Sequence, residues 1–96
     1  MIQQVTITTE SAEPIKPLLE SAIRGELKTL MFGIQRTRER LAAFEKQYGM
    51  TTEEFARRFD GKDLKETHDF LDWWGEIKML RLLEGKHRAL AGARVN

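Results

Sequence analysis

Residues 14–49 read PIKPLLESAIRGELKTLMFGIQRTRERLAAFEKQYG, and the spacing of their apolar positions decides the fold. From Ile23 the apolar residues advance by four, three and four positions through Leu27 and Leu30 to Ile34. They then step by seven across Thr37 to Leu41, and by three and four to Phe44 and Tyr48. This is a heptad stripe with one polar break, the pattern of a helix that packs along another helix. Pro14 and Pro17 are tolerated only in a first helical turn, which places the start between them. Gly25 and Gly33 each weaken a helix by roughly 1 kcal/mol relative to alanine. The stripe nevertheless keeps its phase through both, so one helix is expected from about 15 to 47, with Gly49 as its C-terminal cap. Either glycine would kink the helix or admit a close neighbour. Leu18, Ala22, Met31 and Phe32 widen the apolar face beyond a narrow coiled-coil seam.

Two further helices follow. Met50-Thr51-Thr52-Glu53-Glu54-Phe55 has the form of a capping box, with Thr51 accepting from the amide near Glu54 and Glu54 reaching back to Thr51. Met50 and Phe55 stand where a hydrophobic staple belongs. A short helix is expected to run to Phe59, bury Phe55 and Phe59, and stop at Asp60-Gly61. The chain then restarts at Asp63 or Thr67, with a first turn expected at Leu64 to Glu66. Phe70, Trp73, Trp74, Ile77, Leu80, Leu83, His87 and Leu90 form a second helical stripe, broadened by Leu71, Met79 and Leu82 and ending near Ala91-Gly92.

Upstream of the long helix, Ile2 to Thr9 alternates β-branched and polar residues, the pattern of a short strand with one apolar face. No other segment reads as a strand. Its pairing edge is therefore expected from a second copy or from another protein, or else the segment is an extended arm.

A helix of about 33 residues is ~50 Å long, whereas a compact chain of this length has a radius of gyration near ~13 Å. The expected fold is therefore all-α: a long antiparallel helical hairpin over residues 14–92, a short helix at the bend, and a strand or arm over residues 1–13. Both stripes are broader than one facing helix covers, so a homodimer or a complex with another protein is expected.

Composition narrows the chemistry. Among 96 residues, 16 Lys and Arg face 15 Asp and Glu, for a formal charge of +1, which disfavours a purely electrostatic nucleic-acid binder. The absence of cysteine excludes disulfides, thiolate zinc sites and cysteine nucleophiles. With no secretion signal and no stretch near the ~20 apolar residues of a membrane span, the expected compartment is the cytoplasm.

Few residues carry chemical motifs. Glu84 and His87 have the Glu-x-x-His spacing of di-iron bundles, but Glu20 and Glu26 on the long helix lie off the apolar stripe. A surface glutamate and a half-buried histidine explain the pair, and no metal or cofactor is expected. His68, Asp69, Asp72 and Glu76 cluster at a helix start, where acidic side chains offset the helix dipole. Arg36, Arg38 and Arg40 flank Glu39 on the long helix, where Arg36 and Arg40 are helical neighbours and form a basic spot on a charge-interlaced face. With two histidines, no cysteine and no serine in a nucleophile motif, no catalytic residues are expected. Phe70, Trp73 and Trp74 are an aromatic cluster of the kind that anchors interfaces. Adjacent tryptophans point about 100° apart, so one is expected to face the short helix and the other a partner.

The run Tyr48-Gly49-Met50-Thr51-Thr52-Glu53-Glu54-Phe55, then Phe59, then Asp69 to Glu76, resembles a group of small helical prokaryotic antitoxin-like proteins encoded beside a toxin. Their pattern is Tyr-Gly-Met-Ser/Thr-x-x-Glu-Phe, a short gap, and an acidic, aromatic, Trp-containing stretch. The similarity covers about residues 15–90, and no catalytic residue comes across with it. The resemblance implies a non-enzymatic protein that binds and neutralises a toxin. The expected contacts are Phe70, Trp73 and Trp74 as anchors, with Tyr48, Arg57 and Arg58 adding polar contacts. The alternatives are a DNA-binding regulator of ribbon-helix-helix type, with Gln4, Thr6 and Thr8 reading a groove and a turn at Gly25, and a homo-oligomeric structural module.

Overall fold

The computed structural model describes residues 3–10 and 14–95. In chain order the elements are β1 (Gln3–Val5), α1 (Ile15–Tyr48), α2 (Thr52–Asp60), α3 (His68–Ala91) and β2 (Ala93–Val95). The molecule is a rod of 59 × 21 × 19 Å with a radius of gyration of 18.7 Å. That is well above the ~13 Å of a compact chain of this length.

α1 is a single helix of 34 residues. The stripe that predicts it supplies its buried residues, Leu30, Ile34, Thr37 and Leu41, so the polar break at Thr37 sits inside the seam. The helix ends where Gly49 turns left-handed at φ 64° and its amide donates to the Glu45 carbonyl at 2.9 Å. An L side chain at that φ would crowd its own backbone, which is why glycine closes the helix.

The two interior glycines behave differently. A Cβ on Gly33 would lie 3.3 Å from Leu83 Cδ1, so this glycine admits α3 at close range, whereas a Cβ on Gly25 would meet nothing within 4 Å. Neither position ends the helix. The turn at Gly25 that the ribbon-helix-helix alternative requires is therefore absent.

α2 begins as its capping residue predicts. Thr51 Oγ1 accepts from the Glu54 amide at 3.1 Å. A contact absent from the local reading comes from α1: Glu45 reaches across the bend and accepts from the Thr52 amide at 2.6 Å. The carboxylate thus ties the end of one helix to the positive start of the next. α2 closes at Gly61, followed by Lys62 at φ 61°. The helical turn expected at Leu64 to Glu66 is not formed. α3 starts at His68, because Thr67 takes the cap position and its hydroxyl accepts from the Phe70 amide at 3.1 Å.

α3 packs back along α1, and residue pairs along the seam run in opposite senses. Tyr48 meets Phe70, Phe44 meets Trp73, Arg40 meets Glu76 and Gly33 meets Leu83. This return brings the C-terminal segment beside the N-terminal one and corrects the expectation for the first strand. β1 pairs in parallel with β2 of the same chain, in the register Gln3 to Ala93, Gln4 to Arg94 and Val5 to Val95. Three residues after a helix are too few for an alternation to register, so β2 is invisible to pattern reading. The strand is also shorter than Ile2 to Thr9; Ile2 itself, with Met1 and residues 11–13 of the expected arm, lies outside the described residues.

The glycine contacts set up a paired test. Gly25→Ala is expected to raise unfolding free energy by roughly 0.5–1 kcal/mol, since it adds helix propensity in open space. Gly33→Ala is expected to gain less or to destabilise, because Leu83 must move. Urea unfolding followed by circular dichroism distinguishes them, and equal gains would contradict the close approach at Gly33.

Candidate functional site

The aromatic residues singled out in the sequence converge at the bend. Trp73 is wholly buried, with 0% of its surface exposed. Its ring lies 4.0 Å from Phe55 at 1° and 5.4 Å from Phe44 at 10°. One ring from each helix therefore joins a single stack, well within favourable aromatic range. The indole Nε1 donates to Thr52 Oγ1 at 3.3 Å, so the buried polar tip has a partner. Trp73 thus presents no surface to a partner protein. It serves the core, and its place among the expected contact anchors is corrected accordingly.

The other expected contact residues divide between core and rim. Phe70 is half-buried against Tyr48 and Phe55, at 5.0 and 5.3 Å. Trp74 is half-buried on Phe59 at 5.5 Å, with the Lys78 ammonium 5.6 Å from its ring centre. Arg58 pairs with Asp63 at 3.2 Å, and Arg57 is exposed.

Tyr48 donates its hydroxyl hydrogen to Asp69, which also accepts from Gln47 Nε2 at 3.3 Å. The hydrogen bond to Asp69, then burial, then the carboxylate's charge hold the phenol above its ordinary value of 10.0. Asp69, read in the sequence as a dipole-offsetting residue in the first turn of α3, therefore also fastens α3 to the end of α1.

The arginines of α1 also have specific partners. Arg40 Nη1 lies 2.8 Å from Glu76 Oε1, and Arg38 Nη2 lies 2.8 Å from Glu84 Oε2. Arg40 of the expected basic spot, and Arg38 beside it, are therefore clasps between α1 and α3. The glutamate of the Glu84/His87 pair is held by Arg38. Among the described residues no group of three His, Asp or Glu side chains could share a metal ion. No helix of the described residues is long and apolar enough to cross a membrane.

Much of the apolar surface left over lies on the outward faces of both long helices, with Val5 and Ile7 also exposed in and just after β1. On α1, Leu18 and Phe32 are 58% and 72% exposed, and with Gly25 between them they recur every seven residues along one line. On α3, Leu71, Met79 and Leu82 are each about half exposed or slightly more. These residues registered in the sequence as excess width of the two stripes. Which of them would stay uncovered depended on the helix crossing, which periodicity does not specify.

Compared with known proteins, the chain gives no significant match to a family model, a curated protein or a solved structure.

Two tests follow from this geometry. Trp73→Ala is expected to cost roughly 3–5 kcal/mol of unfolding free energy, as for other buried large aromatics, and Trp74→Ala clearly less. Chemical denaturation of both variants checks the order, and comparable losses would contradict their different burial. Tyr48, the chain's only tyrosine, is stabilised in its protonated form. Its contribution is expected to be fully present below the unfolded-state value near 10 and to be lost as pH rises through the higher folded-state value. Tyrosinate absorbance reads the ionisation directly. Comparison with Tyr48→Phe across the alkaline range isolates the stability change, which should be missing from the variant.

Proposed function

We propose that this chain is a non-enzymatic protein-binding module of antitoxin type, which neutralises a partner toxin by covering its functional surface with an apolar helical face. The observation that carries the reading is the line Leu18–Phe32 on α1: large apolar side chains stand exposed on the side of the helix opposite its own buried seam. A small rod gains nothing from displaying them to water, and exposed apolar rows of this kind ordinarily meet another polypeptide. Recognition by an apolar helix face with a charged rim is a recurrent mode of peptide and protein binding. Arg57, Trp74 and the open edge of Phe70 offer further contacts at the bend. The resemblance of the Tyr48 to Glu76 region to antitoxin-like proteins supplies the class of partner, and the cytoplasm is the proposed compartment.

Co-expression with the product of the adjacent gene tests this reading. The two proteins are expected to co-purify, and growth inhibition by the neighbour is expected to be relieved by this chain. Phe32→Asp together with Leu18→Asp, both at exposed positions, should abolish capture and relief while leaving helicity unchanged. A neighbour that is harmless, or that fails to bind the unaltered chain, would overturn the proposal.

A further inference from the structure

We infer that the outward face of α3 is a self-complementary surface on which a second copy of this chain docks antiparallel, with Met79 on the two-fold axis. The inference is independent of whether a toxin is bound, because it uses a different face from the Leu18–Phe32 line.

The argument starts from spacing. Asp72 and Lys86 stand seven residues before and after Met79, so on an α-helix all three share one line. Both charged residues are exposed. The three ion pairs formed among the described residues, Arg38–Glu84, Arg40–Glu76 and Arg58–Asp63, use neither of them. If a second α3 is laid antiparallel with Met79 against Met79, Asp72 of each copy falls opposite Lys86 of the other. Two equivalent ion pairs then close the ends of the contact. A parallel arrangement would instead set Asp72 against Asp72 and Lys86 against Lys86. The charges therefore select both the orientation and the register, which is the role interfacial charges perform best.

The apolar groups between them agree with this register. Gly75 precedes Met79 by four residues and Leu82 follows it by three, so Leu82 of one copy meets Gly75 of the other. A Cβ at Gly75 would meet nothing within 4 Å, which leaves a recess on the helix surface, and Leu82 is among the exposed large apolar residues. Leu71, on the flank of the contact, falls within about one turn of Ala89 of the second copy. Lys78, on the flank, lies near the Trp74 ring of its own helix rather than in the seam. The two-fold relation is what a closed, isologous dimer requires.

The stretch from Leu71 to Ala89 is ~27 Å long, and a single-helix contact of that length buries about 1,000 Å² in all, at the low end of specific interfaces. A contact of this size belongs with weak, transient associations, and it loosens as salt rises.

Sedimentation equilibrium of the purified full chain tests the inference. The unaltered chain is expected to show a reversible monomer–dimer equilibrium. Asp72→Lys alone and Lys86→Asp alone should each weaken self-association by about tenfold or more, because each variant opposes like charges at both ends of the seam. An equimolar mixture of the two variants should recover dimerisation as a heterodimer, since every opposing pair is then of opposite sign. The double variant carrying both substitutions should recover it as a homodimer. Circular dichroism monitors the fold of each, and recovery in the mixture excludes misfolding as the cause of loss. A chain that stays monomeric at high concentration, single variants that dimerise like the unaltered chain, or a mixture of folded variants that does not recover would each overturn the inference. Because the Leu18 and Phe32 positions are untouched, none of these outcomes bears on toxin capture.

Discussion

The fold depends on the stacking of Trp73 with one ring from each of the other two helices. Phe44 comes from α1 and Phe55 from α2, and both lie nearly parallel to the indole. Burial of three large aromatic surfaces at one point supplies most of what holds the bend, because two narrow helices bury little area elsewhere. The connecting loops are consistent with this centre. Thr52, in the first turn of α2, receives the indole hydrogen bond on its hydroxyl and gives its amide to Glu45 of α1. The joint between helices is thus assembled from the same few residues that form the core.

From that joint the helices close like a zip. Asp69 fastens to Tyr48, then Glu76 to Arg40, then Glu84 to Arg38, with Leu83 drawn against Gly33. The two arginine pairs are substantially exposed, and such pairs contribute only about 0–1 kcal/mol each. Their larger effect is on register, since a slip of either helix would strand the charges. The same charges thereby assign the sides of the rod: what faces the seam is matched within the chain, and what faces outward, Phe32 and Leu18 on one helix and Leu71, Met79 and Leu82 on the other, is not.

The helices were legible because their signals are local and redundant. The heptad spacing, the two prolines and Gly49 each mark α1 independently, and Thr51 marks α2. The start of α3 is a local matter that the sequence narrowed to Asp63 or Thr67, and the hydroxyl of Thr67 decides it by capping the Phe70 amide. Elements fixed by distant residues were not legible. β2 carries no periodicity of its own and forms because the hairpin returns it to β1. The division of labour between Trp73 and Trp74 follows from the helix crossing, so the sequence gives two anchors where the fold uses one as core. The roles of Arg38 and Arg40 depend on partners 46 and 36 residues away and leave no trace in their own neighbourhood.

The short parallel ladder between β1 and β2 has a mechanical consequence. Both strands point the same way, so tension applied to the leading end of the first and the trailing end of the second acts along them rather than across. The bridging amides are then loaded together in shear instead of peeling apart one after another. A clasp of three residues per strand therefore resists separation of the first and last strands more than its size suggests, and the pole opposite the aromatic joint is held shut by geometry as much as by strength.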